Sequence, residues 1–181
     1  MQSVLIVLAD GFEEIETVTV ISILRRAKIK VIMAGLTGLD VTSSRGINMV
    51  ADTLLEDELG SVVDMVVLPG GEPGCSNLQQ SMMLKAYLQQ KVAMGVWIGA
   101  ICSAPRVLHA FGLIDGKQVT SSPTVQGLLT QSRYSEQDVV VDAPFITSRG
   151  PGTAMKFAFR LMGQFQDRKL VRQLKDSMLV S

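Results

Sequence analysis

Short, nearly continuous apolar runs alternate along the chain with segments of helical period. Ser3–Ala9 (SVLIVLA), Lys30–Ala34 (KVIMA), Met65–Leu68 (MVVL) and Met94–Ala100 (MGVWIGA) are bounded by Gly, Asp or Pro. Runs without polar alternation suit strands buried on both faces of a parallel sheet. Between them, Glu14–Arg26 places Val18, Ile21 and Leu24 on one face and closes in basic residues, which favour a helix C-terminus. Met82–Val92 and Ala104–Phe111 read as further helices. Pro151–Phe165 is the clearest, with Ala154, Phe157, Ala158, Leu161, Met162 and Phe165 at core spacing and proline in the first turn. Asp40–Val50, centred on Ser43-Ser44-Arg45-Gly46, predicts a small hairpin, and Val119–Ser121, Val139–Val141 and Phe145–Thr147 predict more strands. Repeated strand–helix order implies a doubly wound α/β sandwich over a single domain spanning residues 1–181, with its chemistry at the carboxyl ends of the strands.

Composition narrows the function. Of 181 residues, 47% are hydrophobic and 19% charged, enough apolar side chain for a sizeable core and too much for a disordered chain. Seventeen basic residues balance seventeen acidic ones, so no basic surface signals nucleic-acid binding. No apolar run approaches the roughly 20 residues of a membrane span, and Val4–Ala9 lacks the flanks of a signal peptide. One histidine and two cysteines are too few for a usual zinc site or a disulfide framework, so no metal or cofactor is expected. The expectation is a soluble, cytoplasmic domain with free thiols.

Three strand ends carry residues with chemical potential. Cys102 follows an apolar strand and precedes a helix, so it falls on a sharp turn that lifts its side chain out of the sheet. Helix amides behind it are expected to stabilise a thiolate and lower its pKa. The single histidine, His109, lies seven residues downstream on the same predicted helix, roughly 10 Å along the axis, which excludes a thiol–imidazole pair within the chain. The remaining partner is a carboxyl from Glu13, Glu14 or Glu16, each of which could equally serve as an acid in a helix first turn. A carboxyl against a thiolate resists ionising and can donate to sulfur, so the two titrate as a pair. Pro69-Gly70-Gly71 offers unhindered amides for an oxyanion. Arg45, with Arg25 and Arg26, offers an anion site or plain surface charge, and Cys75 reads as packing.

Four segments in this order, Gly11-Phe12-Glu13-Glu14-Ile15-Glu16-Thr17, Val67-Leu68-Pro69-Gly70-Gly71, Ala100-Ile101-Cys102-Ser103-Ala104-Pro105 and Thr147-Ser148-Arg149-Gly150-Pro151-Gly152-Thr153, resemble the ThiJ/PfpI superfamily, in its Parkinsonism-associated deglycase (DJ-one) branch. The likeness runs from Val4 to about Leu179, and Lys169–Met178 resembles the extra C-terminal helix of that branch. The resemblance implies a flavodoxin-like sandwich that forms a homodimer. It maps the reactive cysteine onto Cys102, its carboxyl partner onto Glu16, substrate-facing amides onto Gly71 and Ser103, and a pocket-edge arginine onto Arg45. It implies glutathione-independent glyoxalase or deglycase activity on methylglyoxal-type dicarbonyls or glycated proteins, or alternatively redox sensing or chaperoning through oxidation of the same sulfur. Where better-known members carry a histidine and a facing aspartate, this chain has Ser122 and Ser22, a change expected to leave a hydroxyl network and to disfavour cysteine peptidase chemistry. Val50 stands at a site where some members hold a peripheral cysteine.

Overall fold

The computed structural model describes residues 2–180. Its strands are β1 (Ser3–Leu8), β2 (Lys30–Gly35), β3 (Asp40–Thr42), β4 (Asn48–Val50), β5 (Thr53–Leu54), β6 (Met65–Leu68), β7 (Trp97–Ile101), β8 (Gln118–Val119), β9 (Arg133–Tyr134), β10 (Val139–Asp142) and β11 (Phe145–Ser148). The helices are α1 (Glu14–Arg26), α2 (Gly74–Gln80), α3 (Met82–Ala93), α4 (Pro105–Ala110), α5 (Ala154–Met162) and α6 (Arg168–Ser177).

A seven-stranded sheet runs β10-β11-β7-β6-β1-β2-β5, parallel throughout except for the antiparallel β10–β11 edge. The order turns outward in both directions from β1, which places the β1 and β6 carboxyl ends at the crevice where such sheets bind ligands. Continuous apolar strands follow from burial on two faces. Val4, Ile6 and Leu8 of β1 join the layer formed with α1 and α5, whereas Leu5, Val7 and Ala9 join the opposite layer with α2, α3 and α4. Gly99 of β7 makes room for α5, since a Cβ there would sit 3.1 Å from Leu161 and 3.2 Å from Phe157.

Several boundaries differ from expectation. The fourth strand begins at Trp97, because Met94 still caps α3 and Gly95 turns the chain at φ +76°. Val18 is 51% exposed; the buried face of α1 is Glu16, Thr17, Val20, Ile21, Ile23 and Leu24. The predicted helix over 151–165 divides into a 3-10 turn, Pro151–Thr153, followed by α5. Val119–Ser121 contributes only Val119 to a strand, in a small separate parallel pair of β8 with β9. β5, β9 and α2 carry too few apolar residues to stand out in the sequence.

Candidate active site

Cys102 sits between β7 and α4 with φ +64°, a left-handed conformation that costs a non-glycine residue free energy. Lys28 and Leu179 share that conformation, but just past helix C-termini, where it is common. Cys102 stands before a helix. Its amide donates to the Ser148 carbonyl at 2.9 Å and its carbonyl accepts from the Ser122 amide at 2.8 Å, so the strained turn is held from both sides. The side chain is half-buried.

The acidic run resolves into three roles. Glu13 is the N-cap of α1, its carboxylate accepting from the Glu16 amide at 2.7 Å. Glu14 faces the hairpin, where it accepts from the Ser44 hydroxyl at 3.4 Å. Glu16 is fully buried and meets the Cys102 thiol. One of its oxygens accepts from the Gly70 amide at 2.8 Å; the other, Oε1, is buried without a hydrogen-bond partner. Burial, with the Glu13 charge adding to it against the Gly70 hydrogen bond, pushes the Glu16 carboxyl up to about 7.

Gly70 and Gly71 let the β6 end reach both groups. A Cβ on Gly70 would lie 2.5 Å from Cys102 Cβ and 2.8 Å from Glu16 Oε2, and one on Gly71, at φ +96°, would meet the Gly11 carbonyl at 2.4 Å. Only glycine permits this backbone-to-backbone approach. The Gly70 amide is committed to Glu16 and is not free for an oxyanion. The Gly71 amide finds no acceptor among the described residues, and the Ser103 amide is directed at the Cys102 sulfur.

The thiol itself departs from expectation. Burial, followed by the Glu16 charge, pushes Cys102 up to about 12, against the lowering supplied by the Ser103 amide and hydroxyl. A helix of six residues opening three positions later does not outweigh the loss of water around the sulfur. The two groups share protons as a unit, and the part of the rise due to the Glu16 charge vanishes whenever the carboxyl is neutral.

The remaining predicted residues lie farther out. Arg45 is exposed on the β3–β4 turn, its guanidinium donating to the Ser44 carbonyl at 3.4 Å, with no contact to Cys102 or Glu16. Ser122 lends its backbone to the Cys102 turn, while its hydroxyl pairs with Thr124 Oγ1 at 2.8 Å. Ser22 faces Arg26 at 3.5 Å on the surface of α1. Within the chain, then, the two serines form no shared hydroxyl network, since each is satisfied by a neighbour on its own segment. His109 ends α4 and does not reach the sulfur. Two neighbours were not expected at the site: Gly150, and Cys75, whose place in the sequence suggests packing. Gly150 borders the sulfur, a Cβ there falling 4.0 Å from Cys102 Sγ, and the buried Cys75 receives the Ser103 hydroxyl at 3.2 Å. Each stands in a recognisable motif or loop, but nothing in the spacing marks it. A concavity of about 930 Å³ between α5, α6 and β10 shares no residue with this site.

Comparison with known proteins bears on the family and the fold. Residues 2–164 match the model of the DJ-1/PfpI family. Protein DJ-1 homolog B of Arabidopsis thaliana is 38% identical over 179 residues, 98% of this chain but only 41% of that protein, so the chain spans about two-fifths of that relative's length. The glutathione-independent glyoxalase DJR-1.2 of Caenorhabditis elegans is 36% identical over 155 residues, covering 84% of this chain and 82% of that one. The crystal structure of Drosophila melanogaster DJ-1beta superposes with a TM-score of 0.97 at 38% identity, covering 99% of this chain and 98% of that chain. The elbow cysteine, the buried glutamate and the full-length match together place the chain in the DJ-1/PfpI family.

Proposed function

We propose that the protein is a cysteine-dependent glyoxalase or deglycase acting on methylglyoxal-type dicarbonyls or their protein adducts. The observation that carries this reading is a strained Cys102 whose sulfur faces a buried carboxyl of raised pKa and the Ser103 amide; the family resemblance adds the Gly71 amide. These are the parts an aldehyde addition needs: a nucleophile, a group that holds a proton near neutrality, and amides for the oxygen that becomes negative. The glyoxalase name of the Caenorhabditis elegans relative supports the same class.

In this mechanism the ionised Glu16 takes the thiol proton as sulfur attacks the aldehyde carbon. The oxygen that gains charge faces the Gly71 and Ser103 amides and takes that proton, giving a hemithioacetal. Glu16 then removes the hydrogen on the former aldehyde carbon, the hemithioacetal hydroxyl passes its proton to the ketone oxygen, and Glu16 returns its proton to the adjacent carbon, which leaves an alcohol there and a thioester on Cys102. Water cleaves the thioester to a 2-hydroxy acid and restores the thiol. With a hemiaminal of a protein amine, the C–S bond forms as the C–N bond breaks, the amine leaves with the proton taken from the thiol by Glu16, and the resulting hemithioacetal follows the same course. Lactate formed from methylglyoxal is measured for wild type, Cys102→Ser and Glu16→Gln. Loss of at least a hundredfold in both variants is expected; equal slow turnover in all three would exclude the site.

Oxidation of Cys102 is a second reading, favoured by Glu16 Oε1, a buried oxygen without a partner that, when the carboxyl is protonated, has a hydrogen bond left to give to a sulfinate. Mild peroxide should then add two oxygens at Cys102 ahead of the ten methionines, read by mass. A homodimer is also proposed. Ile15 and Val18 of α1 and Ile47 and Val50 of the hairpin are 56%, 51%, 51% and 66% exposed, and Ser44 of that hairpin is hydrogen-bonded to the loop before α1.

A further inference from the structure

Cys75, in the first turn of α2, is fully buried, yet its sulfur is not enclosed by hydrocarbon alone. The Ser103 hydroxyl donates to Cys75 Sγ at 3.2 Å, and the same hydroxyl lowers the Cys102 thiol against its burial, so it stands within reach of both sulfurs. The Cys75 thiol has a second neighbour in the Pro69 carbonyl at 3.7 Å. Cys102, Ser103 and Cys75 thus form a continuous line of three hydrogen-bonding atoms running inward from the elbow.

A hydroxyl has one proton to give and lone pairs to receive with, so the line has two arrangements. While Cys102 is a thiol, Ser103 donates to Cys75 and the Cys75 thiol donates to Pro69. When Cys102 is a thiolate, Ser103 turns its proton to that sulfur and Cys75 can turn its own to the Ser103 oxygen. The switch rotates hydrogens, transfers none, and moves no heavy atom. Cys75 stays protonated throughout, because burial pushes its thiol up to about 12. The charges that face it, Glu72 and Arg106, are paired with each other at 2.7 Å and act on it in opposite directions. Around Cys102 the facing ionisable group is Glu16.

We propose that Ser103 and Cys75 are positioning residues, a two-membered donor chain that stabilises the Cys102 thiolate. The chain supplies polar support that no imidazole within reach provides. It rests on Cys102 being the nucleophile proposed above, and it makes Cys75 part of the site. Chained donors polarise one another, and a hydrogen bond to a charged acceptor is among the stronger kinds.

The test is the rate of iodoacetamide alkylation at Cys102, read by peptide mass from pH 5 to 10 on the full chain. Wild type is compared with Ser103→Ala, Cys75→Ala and Cys75→Ser. Ser103→Ala is expected to lower the rate at pH 8 by about tenfold, since it removes a hydrogen bond to a charge. Cys75→Ala should lower it several-fold, and Cys75→Ser, which keeps a donor, should restore it. Unchanged rates in Ser103→Ala overturn the proposal, as does a Cys75→Ser protein as slow as Cys75→Ala, which would mark a packing effect. If Cys75→Ala does not fold by circular dichroism, Ser103→Ala and Cys75→Ser decide. Alkylation reports the thiolate whether or not methylglyoxal is turned over. Absent lactate with these rate differences intact would therefore sink the enzymatic reading and leave the donor chain standing.

Discussion

Glu16 is the side chain on which the proposed chemistry depends, and its environment has a measurable cost. A carboxyl with pKa raised from 4.5 to about 7 binds its proton more tightly in the folded than in the unfolded chain. Its stabilising contribution is therefore full below about 4.5 and is lost as pH rises through 7, the opposite of a salt-bridged acid. Thermal melts should show stability falling by on the order of 3 kcal/mol between pH 4.5 and 8 from this group. Glu16→Gln, which keeps an oxygen for the Gly70 amide, should lack that fall; an identical pH dependence in both proteins would contradict the burial argument. The sequence made Cys102 and an acidic partner legible, because an apolar strand meeting a helix fixes where the elbow must be. It left three acids open, since choosing among them needs to know that Glu13 is occupied as the N-cap and that only Glu16 points inward. It misjudged the thiol's ionisation for a related reason: helix amides can be read from sequence, whereas desolvation depends on which residues close around the sulfur.

Elements of regular period were legible to within a few residues, and the irregular ones were not. β6 and α1 lie where the hydrophobic pattern puts them, whereas β5, β8 and β9 are two residues each and are defined by tertiary pairing. Val18 shows the limit of helical period: apolar residues occupy more of α1 than its core-facing side can bury. The first turn of α1 links element to site, because it holds both the Glu13 cap and Glu16. Glu13→Ala removes the acceptor for the Glu16 amide, which should cost about 1 kcal/mol of stability. The same change should let Glu16 shift against Cys102, so that kcat for lactate formation falls while the fold, checked by circular dichroism, persists. Full activity with the cap removed would show that β6 alone holds Glu16, through the Gly70 amide.

Across the whole molecule, the sheet order brings three segments to one edge: the first turn of α1 supplies Glu16, the loop after β6 the glycines, and the β7–α4 elbow the sulfur. Their backbones press together, with the Glu13 amide donating to the Gly70 carbonyl at 2.8 Å, so the pair is positioned by the fold as a whole. The exposed apolar side chains of α1 and the hairpin are expected to be covered by a second copy. Val18→Glu should then convert a dimer to a monomer in sedimentation, and a wild-type protein already monomeric at micromolar concentration would remove that expectation. The central claim is that Cys102 and Glu16 titrate as one unit. The pH dependence of Cys102 alkylation in wild type and Glu16→Gln tests it most directly. Wild type should level off above about 7, once Glu16 has lost its proton and its charge holds the thiol back, whereas Glu16→Gln should keep climbing with pH. Superimposable profiles would mean that the carboxyl and the sulfur do not feel one another, and the proposed chemistry would lose its basis.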